Sequence, residues 1–209
     1  MIPAGSRLRV VLGSASPARL ATLRSAGLDP EVIVSGVDET VVTTTVPAEL
    51  AQQLAELKAD AVLPRVGAGP ALVIGCDSVL ELDGEVFGKP HTAAVATERW
   101  RRMRGRSGVL HTGHRLLLVE GGDVRRVGRA AATTVHFADL TDAEIEAYVA
   151  TGEPLVVAGA FTLDGLGGAF VTGIEGDPHN VVGISLPLLR ALVGELGLDW
   201  PDLWARPAS

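Results

Sequence analysis

A turn rich in small and hydroxyl-bearing residues, 13–19, lies near the start of the chain and ends in an arginine. An apolar run over 8–12 predicts a buried strand before it, and the pattern after it predicts a helix that stops at Gly27. Ser16 is a residue type that caps helices, and Pro17 suits the first helical position. Because free backbone N–H groups and the positive end of the helix dipole meet there, the turn predicts a phosphate-binding site.

Carboxylates follow two of the predicted strands. Asp77 comes directly after the apolar run 71–76, and Asp38 and Glu39 follow a second strand predicted over 31–35. Open α/β sheets bind ligands at the carboxyl ends of their strands, and carboxylates there can hold Mg²⁺ or activate water. The simpler alternatives are a turn or cap aspartate for the first position and a solvated acidic turn for the second.

Cations come from three segments that lie far apart in the sequence. Arg19 belongs to the opening turn, Lys58 to a predicted helix, and Lys89 lies between a glycine and a proline. Each of them taken alone is most simply a surface charge. If the fold brings them together, they have the charge and the donor groups to bracket a triphosphate.

Other kinds of chemistry lack the residues that they need. The five histidines show no zinc-ligand spacing, and the chain has neither a Gly-x-Ser-x-Gly turn nor a Gly-x-x-x-x-Gly-Lys-Ser/Thr loop. Cys76 lies inside an apolar run, which disfavours a role as a nucleophile. The motifs therefore favour phosphate chemistry over a zinc site, a Ser or Cys nucleophile, or a Walker-type nucleotide fold.

Composition sets further limits on the class of protein. The net charge of the 209 residues is −7, which argues against binding to a nucleic acid polymer, since that requires a basic face. The single cysteine excludes an intrachain disulfide and favours a reducing compartment. The first seven residues lack the apolar segment of a signal peptide, and no apolar run is long enough to span a membrane. We therefore expect a cytoplasmic protein without membrane contact.

Predicted helices and strands alternate and must position the candidate side chains. A helix is predicted over 47–63. Its expected buried face consists of Leu50, Leu54, Leu57 and Ala61. Near the end of the chain we expect a polar loop over 175–180 and a loosely ordered tail over 200–209.

Two hairpins define the expected fold class. Asp83 and Gly84 predict a tight turn, and long strands over 110–119 and 124–137 form a second hairpin. This second hairpin interrupts the alternation of strand and helix, which excludes a purely parallel sheet. The sequence therefore predicts an α/β protein with a mixed sheet, in a single domain over 1–209.

The segments that carry these residues resemble, in order, the motifs of the Maf family of nucleoside triphosphate pyrophosphatases. The family opening Ala-Ser-x-Ser-Pro-Arg-Arg-x-Glu-Leu-Leu is similar to residues 13–23, and the family Gly-Lys-Pro is similar to residues 88–90. Further similar segments are Val37-Asp38-Glu39, Lys58-Ala59, Cys76-Asp77-Ser78-Val79-Leu80, Thr112-Gly113, residues 148–154, Ala158-Gly159-Ala160-Phe161 and residues 176–183.

The resemblance implies a long twisted mixed sheet flanked by helices, with two lobes around a cleft, as in inosine triphosphate pyrophosphatases. It implies hydrolysis of nucleoside triphosphates at the α–β bond, with Mg²⁺ or Mn²⁺ as cofactor, in a homodimer that removes unwanted nucleotides from the pool. It also implies that Asp77 and Lys89 are catalytic and that Glu39 and Asp77 hold the metal. The substrate-binding residues that it implies are Ser14, Ser16, Arg19, Lys58, Ser78 and Asp164.

Four positions depart from the family pattern. The family Arg, Glu, Thr and Gln are replaced by Ala18, Ala21, Ser78 and Asp164. Three of these positions, all except Ala21, mark base selectivity in the branch of the family that prefers thymidine and uridine triphosphates. That preference is therefore not carried over, and we expect a changed base preference. Whether another carboxylate replaces the family Glu at Ala21 stays open.

Two other functions remain as alternatives. A nucleotidyltransferase also has a Gly-rich opening turn with an arginine, although the Gly-x-Gly-x-Arg loop and the Asp-x-Asp pair of that class are absent. A non-enzymatic regulator of septum formation, a role linked to the family, gains weight from Ala18 and Ala21. The presence of Asp77, Glu39 and Lys89 together weighs against a pure binding protein.

Overall fold

Seven strands form one mixed sheet in a computed structural model that describes residues 8–205. The strands are β1 (Arg9–Leu12), β2 (Glu31–Val32), β3 (Ala71–Leu82), β4 (Glu85–Phe87), β5 (Ser107–Glu120), β6 (Asp123–Phe137) and β7 (Val171–Glu175). The helices are α1 (Pro17–Ser25), α2 (Pro47–Val62), α3 (Ala93–Met103), α4 (Asp142–Ala150), α5 (Pro178–Val182) and α6 (Leu186–Glu195). The sheet order is β2-β1-β3-β5-β6-β7, and β4 pairs with β3, so the predicted mixed α/β fold is confirmed.

The two edges of β3 determine where the sheet opens. Along one edge, β5 pairs with β3 from Ala71 to Glu81 without a break. Along the other edge, parallel pairing with β1 stops at Ile74, and antiparallel pairing with β4 starts at Leu80. Residues 75–79 of β3 therefore border a gap between β1 and β4.

Apolar side chains are buried in separate clusters on the two sides of this gap. On the β1 side, Leu12 and Leu72 pack in a core with residues of α1 and α6. On the β4 side, the fully buried Trp100 of α3 contacts Phe137 and Tyr148 edge to face, with ring centroids 5.7 Å apart in both pairs. These clusters confirm the two lobes that the family resemblance implied.

Helix α2 packs on the sheet through a face rotated by about one residue from the predicted one. The buried residues of α2 are Ala51, Leu54, Ala55, Ala59 and Val62. A Cβ atom on Gly113 would lie 2.2 Å from the Ala51 carbonyl oxygen, and one on Gly75 would lie 2.5 Å from that of Ala55. Because only glycine allows this approach, the small residues of α2 face the sheet, and Lys58 lies at the flank nearest the gap.

Several predicted boundaries were wrong. Asp77 and Ser78 lie inside β3 rather than after it, because pairing with β5 continues beyond the apolar run. Helix α5 occupies part of the predicted polar loop 175–180, and the Asp177 side chain caps it by accepting from the His179 N–H at 3.0 Å. The second strand is shorter than predicted and covers only Glu31–Val32.

The predicted tail is ordered over its first part. Residues Trp200–Leu203 form a 3₁₀ turn, Leu203 is buried in the core, and the Ala205 N–H donates to the Gly27 carbonyl at 2.7 Å. Residues 206–209 of the tail lie outside the part of the chain that the structure describes. Residues 1–7, to which the signal-peptide expectation refers, also lie outside it. No helix within the described residues is long and apolar enough to cross a membrane. The single domain over 1–209 stays a prediction.

Candidate active site

The gap beside β3 opens into a cleft of about 520 Å³ that residues from both lobes line. Every site residue that the family resemblance implied lines this cleft, whereas Asp38, the carboxylate predicted beside Glu39, does not. The implied residues are Ser14, Ser16, Arg19, Glu39, Lys58, Asp77, Ser78, Lys89 and Asp164. The fold therefore brings together segments that are up to 150 positions apart in sequence (14 to 164), while the role of each residue stays a prediction.

Arg19 fills the open edge of β3. Its Nη1 donates to the Cys76 carbonyl at 2.9 Å, a group that faces the edge from which a neighbouring strand is missing. The guanidinium also donates from Nε to the Gly183 carbonyl at 2.8 Å, and from Nη1 and Nη2 to the hydroxyls of Ser14 and Ser78, both at 3.0 Å. Arg19 thus joins α1, β3 and the residue after α5.

The hydrogen bonds of Arg19 bear on how an anion could bind beside it. Four of its five N–H groups donate to neutral oxygens of the protein, so these bonds leave its positive charge unneutralised. Ser14 accepts from Arg19 and from the Ser16 N–H at 3.2 Å, which leaves the Ser14 hydroxyl proton available for donation. The turn therefore offers an anion a positive field and a hydroxyl donor.

Ser78 begins a chain of hydroxyl groups that leads away from the cleft. Thr112 Oγ1 donates to the Asn180 carbonyl at 3.1 Å, so in the 2.9 Å contact between Ser78 and Thr112 the donor must be Ser78. The Ser78 oxygen can then only accept hydrogen bonds from the cleft. Thr112 and Asn180 are completely buried. Apart from their place in the family motifs, no local pattern in the sequence indicates this link.

Lys58 lies between two carboxylates of the cleft. Its ammonium contacts Oδ1 of Asp77, and it lies 2.7 Å from Oε1 of Glu39. The Lys58 and Asp77 side chains are 13% and 12% exposed, whereas that of Glu39 is 52% exposed. A largely buried ion pair of this kind needs close geometry to offset the loss of hydration, and the second carboxylate adds a further partner.

A divalent metal is compatible with these carboxylates if substrate completes its coordination. The described residues contain no group of three or more His, Cys, Asp or Glu side chains that could hold a metal ion. Glu39 and Asp77 supply hard carboxylate oxygens on the same cleft. Mg²⁺ commonly binds to one or two carboxylates and takes its other ligands from water and substrate phosphates. The donor set therefore fits a cation that binds together with a phosphorylated substrate.

Glu153 organises the loop on the far wall of the cleft. Its Oε1 accepts from the hydroxyls of Tyr148, at 2.9 Å, and Thr162, and from the Gly167 N–H at 3.0 Å, while Oε2 accepts from the Leu166 N–H at 3.0 Å. Burial raises the pKa of Glu153, but these hydrogen bonds outweigh burial and lower it below its usual value. The charged carboxylate therefore fixes both ends of the loop.

That loop, residues 162–167, carries the exposed Asp164 at the edge of the cleft. A Cβ atom at Gly165 would lie 2.6 Å from Oε2 of Glu153, so a larger residue there would have to displace this carboxylate. The sequence identified the segment around Glu153 only as a family motif and assigned it no role. The spacing of nine residues between Glu153 and Thr162 has no periodicity that would have indicated the contact.

His114 is a buried neutral histidine behind the Arg19 side of the cleft. Its Nδ1 contacts the Thr112 carbonyl at 3.0 Å, and its Nε2 accepts from the Ser185 N–H at 2.8 Å, so the proton lies on Nδ1. Burial, reinforced by the charge of Arg19, lowers the pKa of His114 to about 4. This histidine therefore orders the start of α6 rather than acting on a substrate.

Burial also makes the Cys76 thiol unreactive as a nucleophile. Burial raises the pKa of its thiol to about 12, so the thiolate required for nucleophilic attack does not form near neutral pH. The prediction that Cys76 is a buried strand residue is confirmed.

Comparison with known proteins decides the family. A family model described as Maf-like protein matches residues 9–196. The chain belongs to the Maf family. It is 61% identical over 205 residues to a protein from Salinispora tropica named nucleoside triphosphate pyrophosphatase, covering 97% of this chain and 90% of that protein. Proteins of the same name from Streptomyces coelicolor and Cutibacterium acnes are 58% and 54% identical, covering 95% and 94% of this chain and 96% and 95% of theirs.

The positions that depart from the Maf pattern fall into two groups in the structure. Ala18 and Asp164 line the cleft, as does Ser78, so their replacement changes the surface that a ligand meets. Ala21 is exposed on α1. Within the Maf motif 176–183, Asn180 is completely buried, and its Nδ2 donates to the Leu110 carbonyl at 3.1 Å. This residue of the motif therefore holds α5 against the sheet.

Proposed function

We propose that this chain hydrolyses nucleoside triphosphates at the α–β bond and releases a nucleoside monophosphate and pyrophosphate. The observation that carries the proposal is the convergence of Asp77, Lys58, Lys89 and the 13–19 turn on one cleft. The names of the relatives from Salinispora tropica and Streptomyces coelicolor support it. A triphosphate brings several negative charges, and charge grows on the bridging oxygen as the bond breaks, so fixed cations and N–H donors favour the reaction.

In this proposal Asp77 orients a water molecule and takes its proton as the water oxygen attacks phosphorus. The bond from that phosphorus to the bridging oxygen breaks, and its electron pair leaves with pyrophosphate. Lys58 offsets the charge of the two carboxylates that it contacts, which reduces their repulsion of the phosphates. Lys89 binds the phosphates from the β4 side, and Ser14 and Ser16 bind them from the opening turn.

Glu39 and Asp77 are the residues that we propose to hold Mg²⁺ or Mn²⁺, which when bound neutralises phosphate charge. Removal of metal with a chelator should abolish hydrolysis, and added Mg²⁺ or Mn²⁺ should restore it. Full activity in excess chelator would refute this part of the proposal.

Base selection is the part in which this chain should differ from the thymidine- and uridine-preferring branch. Asp164 can only accept hydrogen bonds when ionised, whereas the Gln of that branch both donates and accepts. With Ser78 also limited to accepting from the cleft, we expect a base preference that differs from that of the thymidine- and uridine-preferring branch. A panel of ordinary and methylated triphosphates measures this, and a sharp preference for dTTP and UTP would contradict it.

Replacement of Asp77 by Asn tests the assignment of the general base. The amide keeps the size of the side chain but cannot take the proton, so we expect kcat to fall by about 100-fold or more, read as pyrophosphate release. Asp60→Asn is the control, because Asp60 is an exposed carboxylate of the same helix as Lys58 and pairs with Arg126 at 3.5 Å. Full activity of Asp77→Asn would refute the catalytic role. A wild-type protein that hydrolyses no triphosphate would refute the function and favour the regulator alternative.

We also propose that the protein is a cytoplasmic homodimer. The family resemblance is the support for the dimer, and the single cysteine, buried in β3, fits a reducing compartment. Light scattering on the purified protein measures the mass directly, and a monomer mass would refute the dimer.

A further inference from the structure

The loop that carries Lys89, residues 88–91, is bound to the neighbouring wall of the cleft at both of its ends. The Gly88 carbonyl accepts from the Gly159 N–H at 3.2 Å, and the His91 N–H donates to the Leu155 carbonyl at 3.0 Å. Lys89 precedes a proline, which restricts it to extended backbone. His91 has a φ of 61°, a conformation that a residue with a side chain keeps only where its surroundings impose it. The loop is therefore held in one conformation.

Helix α3 supports this wall with two consecutive side chains. Arg99 donates from Nη1 to the same Gly88 carbonyl, and its guanidinium lies 5.1 Å from the centre of the Phe87 ring. Trp100 donates from Nε1 to the Ala160 carbonyl at 2.7 Å. One helix thus fixes both the Lys89 loop and the end of the segment 155–160 to which that loop is bound.

Arg102 provides an internal comparison for Arg99. It lies three residues further along α3 and contacts the same Phe87 ring, at 4.9 Å, but it pairs with the Glu85 carboxylate at 2.9 Å. Arg99 is half-buried, and its hydrogen bond goes to a neutral carbonyl of the Lys89 loop. Partial burial of a cation costs hydration energy. The hydrogen bond to the Gly88 carbonyl and the contact with the Phe87 ring offset this cost.

We propose that Arg99 is a positioning residue for Lys89. By fixing the Gly88 carbonyl, it sets the backbone from which the Lys89 side chain reaches into the cleft, and so aims the ammonium at the phosphates. The inference rests on the proposed function only in taking Lys89 as a phosphate ligand. A lysine side chain has many rotamers, and a loose backbone would multiply the positions that its ammonium samples.

A double-mutant cycle separates positioning from the general effect of a positive charge. Wild type, Arg99→Met, Lys89→Met and the double variant are titrated with inorganic tripolyphosphate by calorimetry, after thermal melting has shown that each is folded. We expect Arg99→Met to weaken binding about tenfold when Lys89 is present and by less than about twofold when it is replaced. The control Arg102→Met, which removes the same ring contact, should change Kd by less than about twofold.

Arg99→Lys extends the cycle, because a lysine keeps the charge and can still donate to the Gly88 carbonyl. It should lose less affinity than Arg99→Met, and it replaces Arg99→Met in the cycle if that variant is unfolded. The proposal would be overturned if the Arg99 substitution weakened tripolyphosphate binding equally with and without Lys89. It would also be overturned if Arg102→Met weakened binding as much as Arg99→Met does. Unchanged binding by Lys89→Met, or no binding by wild type, would also overturn it. A wild type that binds tripolyphosphate but hydrolyses no nucleotide would refute only the proposed function.

Discussion

Replacement of His114 should alter the stability of this protein at acid pH. In the folded state burial, reinforced by the charge of Arg19, lowers the pKa of His114 from 6.5 to about 4. The unfolded chain therefore binds a proton at a higher pH than the folded chain does. The stability that depends on the neutral ring is fully present above pH 6.5 and is lost as the pH falls toward 4. The difference corresponds to about 3 kcal/mol, or about 1.4 kcal/mol per pH unit within that window.

Urea unfolding of wild type and of His114→Gln at several pH values between 4.5 and 7.5 measures this effect. The glutamine should lower the free energy of unfolding at pH 7.5, since it cannot reproduce both ring contacts, but its stability should fall less steeply with pH. The other four histidines are present in both proteins, so their contributions cancel in the difference. Parallel pH profiles would refute the reasoning, as would a ring that NMR finds protonated at pH 5.5.

Two further substitutions test the packing of the site. Gly113→Ala should lower the free energy of unfolding by about 3 kcal/mol, because its Cβ would lie 2.2 Å from a carbonyl of α2. The control Gly194→Ala, at a position with open space around it, should leave the free energy of unfolding unchanged or raise it. Equal effects of the two substitutions in urea unfolding would contradict this. Glu153→Ala removes the acceptors of both the Leu166 and the Gly167 amides, so both should exchange with deuterium faster by about tenfold or more. Unchanged exchange would mean that the loop is held by other contacts.

Features that depend on neighbouring residues were predictable from the sequence. The Asp83-Gly84 turn has positive φ at both residues, 55° and 79°, as a two-residue hairpin requires. The Thr141-x-x-Glu144 pattern is typical of a capping box and forms one at the start of α4. In both cases the relevant hydrogen bonds and backbone angles lie within a few residues, so the local sequence contains the information.

Features that depend on distant pairing were predicted less well. The polar residues that follow Cys76 interrupt the apolar pattern of β3, although its pairing with β5 continues through them. Helix α5 is too short to show periodicity, and Asp177 before a proline was its one local signal. The contact between Arg19 and Gly183 joins residues 164 positions apart. The sequence could nominate Arg19 for the site, but only the fold shows that most of its donors bind the protein.

The unbroken ladder between β3 and β5 limits how the enzyme can move. It runs beneath both lobes from Ala71 to Glu81, so swinging one lobe away from the other would break strand hydrogen bonds. Entry of a nucleotide then depends on small rearrangements of segments such as 34–37 and 162–167, which contain no strand. A nucleotide-bound crystal structure should accordingly superpose closely on the free protein across the whole sheet, with differences confined to the rim.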